Sequence, residues 1–261
     1  MKTDFEAELK KLNSAQKEAV EAVEGPVMVI AGPGTGKTQV LALRIANILK
    51  KTDTPADGVL CLTFTNSGVR AMRERLKNLV GKEAGRVTIA TFHAFAGAII
   101  EEFHEHLNLV SPPSLMDDRE SILLADRLLE ERDWKHLRTR SGGAHNFRDL
   151  RSLISFLKRE GLSAKDFIEL IEMEISSIKN NPESFSTRGK TKGSLKSTIL
   201  AKLESLERTL EAGYFYEAYE EVKKEENLVD YEDVLNLLVR LVEESDEARA
   251  SIAERFLYIL V

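Results

Sequence analysis

The chain has 261 residues, of which 31% are charged and 43% are hydrophobic. This composition is typical of a globular protein with one large or two small domains, and it excludes a disordered or fibrous chain. No apolar run approaches the ~18 residues that span a bilayer, and the N-terminus lacks the apolar core of a signal peptide. We therefore expect no membrane association and a cytoplasmic location. The net charge of −6 argues against a surface that coats nucleic acid everywhere, but it allows a local basic groove.

The first third of the chain alternates predicted strands with predicted helices. Three short apolar runs predict strands: Pro26–Ala31, Gly58–Thr63 and Val87–Ala90. Each run precedes a stretch with apolar residues at helical spacing: Thr38–Leu49, Ser67–Val80 and Phe92–Phe103. This order implies a parallel sheet with right-handed crossovers, so the predicted fold class is α/β. The single cysteine, Cys61, lies in an apolar run and is predicted to be buried.

The middle of the chain is predicted to be a helical insertion. After the Ser-Pro-Pro-Ser sequence at 111–114, no strand pattern appears until about Asn227. The predicted helices are Arg119–Arg132, Phe147–Arg159, Ala164–Met173, Leu195–Glu211 and Tyr214–Glu225. The polar segments between them are rich in glycine, which is typical of linkers.

The last part of the chain returns to an α/β pattern. Asp230 is predicted to cap a helix that ends near Val242, and a further helix covers Glu247–Glu254. Phe256–Val261 is then predicted to be a strand. The predicted domains are 1–112, an insertion over 113–227, and a return to the first domain over 228–261.

A glycine-rich loop between the first predicted strand and its helix is the most informative motif. Its sequence is Ala31-Gly32-Pro33-Gly34-Thr35-Gly36-Lys37-Thr38. The glycines let successive backbone N–H groups turn towards phosphate oxygens, and the helix N-terminus adds partial positive charge. Lys37 is expected to reach the β- and γ-phosphates, and the Thr38 hydroxyl to ligate Mg²⁺. We therefore predict a triphosphate site.

Two further segments are predicted to lie at strand ends. Thr63-Phe64-Thr65-Asn66 follows the second strand, and Thr91-Phe92-His93 follows the third. Ligands of an open parallel sheet bind beyond the carboxyl ends of its strands. We therefore expect both turns to lie along one edge, beside the phosphate loop. A third segment, Leu12-Asn13-Ser14-Ala15-Gln16, lies upstream of the loop.

Taken together, these segments resemble the N-terminal part of UvrD/Rep/PcrA-type superfamily 1 DNA helicases. The segment ending at Gln16 resembles the Q motif of that family, and 31–38 resembles its motif I. The two strand-end turns resemble motifs Ia and Ib, and Val229–Leu235 resembles the acidic helix before its Walker B strand. The segments occur in the family's order, over nearly the whole chain.

The resemblance implies a RecA-like P-loop parallel sheet with an all-helical insertion. It implies a protein that uses ATP and Mg²⁺ to move 3′ to 5′ on single-stranded DNA and to unwind duplex. The expected partners are single-stranded DNA and junctions of single strand with duplex, and we expect a monomer. Two other functions stay open: a P-loop enzyme that acts on a small molecule, and a noncatalytic DNA-binding module.

The same resemblance assigns roles to individual residues, with Lys37 as the catalytic residue. The implied nucleotide-binding residues are Gln16, Ala31, Gly32, Pro33, Gly34, Thr35, Gly36, Lys37, Thr38 and Gln39. The implied DNA-binding residues are Thr63, Phe64, Thr65, Asn66, Thr91, Phe92 and His93. Three of these have a purely structural alternative. Gln16 can form a capping box with Asn13 instead of contacting adenine, Phe64 can be a core aromatic, and His93 can bond backbone at a helix start.

The chain also departs from the family pattern. Ser67 stands where relatives usually carry Lys, and Gln39 stands where many carry Arg. The resemblance expects an Asp-Glu pair directly after the last predicted strand, and these 261 residues do not include it. We therefore expect the chain by itself to bind nucleotide weakly and not to turn it over.

Two basic loops of the insertion are further DNA-binding candidates. One contains Lys135, Arg138, Arg140 and Arg148, and the other contains Arg188, Lys190, Lys192 and Lys196. Mobile cations of this kind suit phosphate contacts, which carry no sequence information. The alternative interpretation is solvated surface charge.

Overall fold

Contacts between residues divide the chain into two units. The first consists of Met1–Leu107 and Leu238–Val261, and the second of Asn108–Leu237. The computed structural model describes residues 5–137, 144–187 and 192–261. Within these ranges, none of the helices has the length and apolar character needed to cross a membrane.

The helices and strands of the described residues are named in chain order. The first stretch contains α1 (Phe5–Lys10), α2 (Ser14–Glu21), α3 (Lys37–Lys51), β1 (Val59–Thr63), α4 (Asn66–Val80), β2 (Thr88–Thr91) and α5 (Phe92–Phe103). The middle contains β3 (Ser114–Leu115), α6 (Asp118–Glu131), α7 (Ala144–Arg159), α8 (Ala164–Asn180), α9 (Ser197–Glu225) and β4 (Leu228–Val229). The chain continues with α10 (Tyr231–Glu244), α11 (Asp246–Arg255) and β5 (Tyr258–Leu260).

The first unit contains a three-stranded parallel sheet in the order β2-β1-β5. The register pairs Thr63 of β1 with Thr91 of β2, and Cys61 with Leu260 of β5. This confirms the parallel arrangement predicted from the strand–helix order. Cys61 is fully buried in the central strand, as predicted, and burial raises the pKa of its thiol to about 11.

The amphipathic pattern of α4 places its apolar side in the core of this unit. Met72 and Leu76 are buried, while the basic and acidic residues of the helix lie on its exposed side. Thr65 caps the helix by accepting a hydrogen bond from the backbone N–H of Gly68 at 3.0 Å. The prediction of a helix over Ser67–Val80 is confirmed to within one residue.

The predicted strand over Pro26–Ala31 is wrong. This segment is irregular, and none of the described strands pairs with it. Its apolar side chains are exposed, with 85% of Met28 and 89% of Ile30 accessible. β-Branched residues favour strands mainly because they pack on a pleated, half-buried surface beside a neighbouring strand. Without such a neighbour, the apolar run alone does not form a strand.

The second unit is helical, as predicted, with a core formed by α6, α7 and α9. Leu128, Phe215 and Leu150 are among its buried residues, and the Trp134 indole donates to the backbone oxygen of Leu128 at 2.9 Å. The two-residue strands β3 and β4 pair in parallel where the chain enters and leaves the helices.

The predicted break between Glu211 and Tyr214 is also wrong, because α9 is one continuous helix of 29 residues. Gly213 lies inside it. A Cβ on Gly213 would approach Ile168 Cγ1 of α8 to 2.9 Å, closer than real Cβ contacts. The glycine therefore permits close packing of α8 on α9 and does not end the helix.

Candidate nucleotide and nucleic-acid site

The glycine-rich loop forms a turn that leads directly into α3. Gly34 and Gly36 have φ values of 73° and 81°, a left-handed conformation that other residues rarely adopt. Gly36 is also the residue that precedes the first turn of α3. The backbone N–H groups at the start of this helix therefore lie at the end of the loop, where a helix favours negative charge.

The lysine of the loop lies across the loop itself. Lys37 Nζ donates hydrogen bonds to the backbone oxygens of Gly32 at 2.9 Å and Ala31 at 3.3 Å. The Thr35 hydroxyl donates to the same Gly32 oxygen at 2.8 Å. Pro33 and Thr38 are exposed. Loop amides, an ammonium and the Thr38 hydroxyl thus lie within one short, accessible segment.

Gln16 is tied to both α2 and the phosphate loop. The capping box is present, because Asn13 Oδ1 accepts from the Gln16 N–H at 2.9 Å and Gln16 Oε1 accepts from the Asn13 N–H at 3.0 Å. Gln16 Nε2 also donates to the Thr35 backbone oxygen at 2.9 Å. The structural alternative for Gln16 is therefore confirmed, and its contact with adenine stays a prediction.

Gln39 has hydrogen-bonding partners at both ends of its side chain. Its Nε2 donates to Glu8 Oε2 of α1 at 3.1 Å, and its Oε1 accepts from Arg75 Nη1 of α4 at 2.6 Å. No pattern in the sequence indicates the contacts of Gln39 with Glu8 and Arg75. They lie 31 and 36 residues from Gln39, so no local spacing connects them.

The two strand-end turns begin at paired residues of neighbouring strands. Because Thr63 and Thr91 are register partners, Phe64 and Phe92 follow at adjacent points of the same sheet edge. Their environments differ. Phe64 is 88% exposed, so the alternative of a core aromatic is wrong. Phe92 is partly buried against the small apolar cluster around Phe256.

The polar residues of these turns differ in their hydrogen bonds and in their exposure. The Thr91 hydroxyl is buried and accepts from the Ala94 N–H at 3.1 Å, so it caps α5 as Thr65 caps α4. Asn66 is exposed in the first turn of α4, and His93 is partly buried in the first turn of α5. The threonines therefore shape the turns, while Phe64 and Asn66 are accessible to a ligand.

The second unit contains a cluster of charged side chains around two buried lysines, which no pattern in the sequence indicates. Lys158 of α7 lies 2.5 Å from Asp230, 2.6 Å from Asp233 and 2.7 Å from Glu220. Lys223 of α9 contacts the same three carboxylates at 2.5 to 2.9 Å. The side chains of Lys158 and Lys223 are 3% and 2% exposed. We call these five residues the ion cluster.

Burial and the neighbouring charges shift the pKa values of the ion cluster in opposite directions. Burial alone would lower the pKa of Lys158, but the charges of Asp233, Glu220 and Asp230 raise it. Against the effect of burial, the two lysines lower the pKa of Asp230. Burial raises the pKa of Asp233, despite the same lysines. The predicted cap of α10 is confirmed, since Asp230 Oδ1 accepts from the Asp233 N–H at 3.1 Å.

The two basic loops are covered only in part. Arg138, Arg140, Arg188 and Lys190 lie outside the described residues. Lys135 pairs with Glu207 at 3.2 Å on the surface, and Arg148, Lys192 and Lys196 are exposed. Their contact with DNA stays a prediction.

Comparisons with known proteins point to one class of relatives. The chain is 29% identical over 252 residues to the ATP-dependent DNA helicase Rep of Salmonella typhimurium strain LT2, covering 96% of this chain and 32% of Rep. It has the same identity over 253 residues to Rep of Escherichia coli K12, with the same coverage. It is 37% identical over 117 residues to the ATP-dependent DNA helicase PcrA of Staphylococcus aureus strain Mu50, covering 44% of this chain and 16% of PcrA.

These relatives are ATP-dependent DNA helicases. A family model for the UvrD/REP helicase N-terminal domain matches residues 12–261. The chain therefore belongs to the UvrD/REP helicase N-terminal domain family. It spans about a third of the length of the Rep relatives that it matches.

Proposed function

We propose that this chain is the nucleotide-binding N-terminal part of an ATP-dependent DNA helicase. The helicase moves 3′ to 5′ on single-stranded DNA, unwinds duplex at its junctions and acts as a monomer. The observation that carries the proposal is the phosphate loop leading into α3 in the same unit as two paired strand-end turns, one of which exposes Phe64. Membership of the family supports both the nucleotide binding and the action on DNA in this proposal.

The donors of the loop fit a triphosphate with Mg²⁺. Left-handed glycines at 34 and 36 turn the backbone around the loop, and the start of α3 supplies N–H groups for the phosphate oxygens. Lys37 neutralises phosphate charge once its ammonium exchanges the Gly32 and Ala31 oxygens for phosphate. Thr38 would hold Mg²⁺, which neutralises charge on the β- and γ-phosphates. Gln16 contacts the adenine edge next to the loop.

The two strand-end turns of the sheet bind single-stranded DNA. Phe64 offers an exposed ring on which a base of any identity can stack. Asn66 and His93 contribute polar contacts, while Thr63, Thr65, Thr91 and Phe92 shape the turns. Stacking of this kind carries no sequence preference, which suits a protein that moves along DNA.

The 261-residue chain alone binds nucleotide without appreciable turnover. Phosphoryl transfer needs a positioned water and charge neutralisation on all sides of the γ-phosphate. The acidic pair that the resemblance expects after β5 is not among these residues. We therefore expect ATP hydrolysis only from a longer protein that supplies those groups.

Equilibrium titrations of the chain with Mg-ATP and with a fluorescent oligonucleotide test the proposal. Lys37→Ala removes the ammonium of the loop and is expected to weaken ATP binding at least tenfold, since hydrogen bonds to charged groups contribute about 1.5–3 kcal/mol. Lys51→Ala is the matched control, because Lys51 is exposed at the opposite end of α3.

The outcomes separate the alternatives. DNA binding without nucleotide binding would favour a noncatalytic DNA-binding module. Nucleotide binding without DNA binding would favour an enzyme that acts on a small molecule. Binding of neither ligand would refute the proposal, and so would equal ATP affinities of the Lys37→Ala variant and the unmutated chain.

A further inference from the structure

We propose that Glu211 of α9 is a positioning residue for DNA binding, because it fixes the backbone of residues 134–137 so that Lys135 binds a phosphate of DNA. This inference rests on the proposed function, since it needs a chain that binds DNA. It deepens that function by assigning a role to the start of the basic loop that contains Lys135. Residues 134–137 lie between α6 and α7 and belong to neither a helix nor a strand.

Three successive backbone N–H groups of this segment converge on one carboxylate. Glu211 Oε2 accepts from the N–H groups of His136 at 2.6 Å and Leu137 at 2.9 Å. Its Oε1 accepts from the N–H of Lys135. Successive amides of this kind form a concave turn that binds anions, and hydrogen bonds to an ionised acceptor are about twice as strong as neutral ones. Glu211 therefore fixes the backbone where the chain continues into the basic loop.

One face of α9 holds the whole segment. Glu207, Glu211 and Phe215 are spaced four residues apart, so their side chains lie on the same side of the helix. The Trp134 and Phe215 rings lie 5.7 Å apart, centroid to centroid, and both residues are buried. Lys135 Nζ pairs with Glu207 at 3.2 Å. Together these contacts anchor the segment at three successive turns of α9.

The two glutamates act on different parts of Lys135. Glu211 holds its backbone, whereas Glu207 neutralises its ammonium. The Lys135 side chain is 73% exposed, and surface pairs of this kind are weak. A DNA phosphate therefore replaces Glu207 as the partner of the ammonium. The backbone stays fixed during that exchange, because Glu211 bonds N–H groups and not the ammonium.

A backbone that is fixed before DNA arrives favours tighter binding. A segment that becomes ordered only in the complex loses backbone freedom on binding, and that loss weakens the affinity. Removal of a negative charge from a DNA-binding surface has the opposite effect, because it strengthens the attraction to phosphate. The positioning role and the simple charge effect of Glu211 thus predict changes of opposite sign.

The test compares two glutamate variants in anisotropy titrations of the 261-residue chain with a fluorescent junction of single-stranded and duplex DNA. Glu211→Ala is expected to weaken binding about five- to thirtyfold, the ratio that corresponds to ordering the backbone of one more residue. Glu207→Ala is expected to strengthen binding up to about fivefold, because it frees the ammonium from a surface pair. Glu204→Ala is the matched control and is expected to leave the affinity unchanged, since Glu204 is an exposed glutamate of the same helix.

Two further measurements separate positioning from a general structural role. The salt dependence of DNA binding is expected to fall by about 0.7 to 0.9 in slope in Glu211→Ala, which corresponds to one lost phosphate contact. Amide hydrogen exchange at residues 135–137 is expected to accelerate, while Mg-ATP affinity stays unchanged because the phosphate loop belongs to the first unit. Should circular dichroism show that Glu211→Ala does not fold, Glu211→Gln replaces it in the same comparison, since it removes the charge and keeps one acceptor oxygen.

Several results would overturn the inference and leave the proposed function intact. These are unchanged or stronger DNA binding in Glu211→Ala, an equal loss in Glu204→Ala, no strengthening in Glu207→Ala, an unchanged salt slope, and a loss of DNA affinity matched by an equal loss of ATP affinity. Failure of the unmutated chain to bind the DNA would instead refute the proposed function and this inference with it.

Discussion

The ion cluster yields the sharpest prediction about stability. Lys158 places one ammonium within 2.7 Å of three carboxylates, and among the described residues Lys223 is the second cation that contacts all three. Lys158→Met keeps much of the apolar stem but leaves Asp230, Asp233 and Glu220 with a single ammonium. Removing one partner from a buried ion pair costs about 3–5 kcal/mol, because the charges that remain in the low-dielectric site lose part of their compensation. We expect a loss of that size in the free energy of unfolding.

Urea unfolding of the chain, followed by far-ultraviolet circular dichroism, measures this loss. With a slope of about 1–3 kcal/mol per molar urea, the unfolding midpoint of the second unit is expected to fall by at least ~1 M. Arg151→Ala is the control. Its pair with Asp118 is 47% and 81% exposed, and pairs of this kind contribute less than ~1 kcal/mol.

A double variant separates charge from packing. Adding Asp233→Asn to Lys158→Met removes one of the uncompensated carboxylates and is expected to recover part of the loss. Two results would refute this reasoning: a Lys158→Met variant no less stable than Arg151→Ala, or a double variant whose loss equals the sum of the single losses.

Three more predictions concern the sheet and its edge. Phe64→Ala should weaken binding of single-stranded oligonucleotides by about 1–3 kcal/mol in anisotropy titrations, and should leave the unfolding midpoint unchanged because the ring is 88% exposed. Ser67→Lys adds a cation in the first turn of α4, so the salt dependence of DNA binding should steepen by about 0.7 in slope. Cys61 has its thiol pKa raised to about 11 by burial, so a disulfide reagent at pH 8 should label it only after denaturation.

Each of these has a contrary result. Unchanged DNA affinity in Phe64→Ala would exclude stacking on that ring. An unchanged salt slope in Ser67→Lys would place the first turn of α4 away from the phosphates. Rapid labelling of the native thiol would contradict the burial of β1, and Cys61→Ser would identify any background reaction.

Much of the fold follows from local sequence signals. The helices α4, α5 and α6 begin within one residue of their predicted starts, because caps such as Thr65 and Thr91 bond N–H groups only three residues away. The parallel sheet follows from the strand–helix order. The glycine-rich loop and the strand-end turns are contiguous motifs, so the sequence alone locates them, while their ligands stay predictions.

Local sequence signals therefore locate most of the helices and the short motifs of the family, although α1 and α2 were not predicted. Contacts between distant segments leave Pro26–Ala31 without a strand, keep α9 unbroken at Gly213 and bury Lys158 and Lys223. The tertiary structure alone brought Arg75 to Gln39, across 36 residues. The difference lies in the distance along the chain over which each interaction acts. Caps and helical periodicity act over a few residues, whereas strand pairing, burial of charge and side-chain contacts between helices depend on neighbours that are distant along the chain.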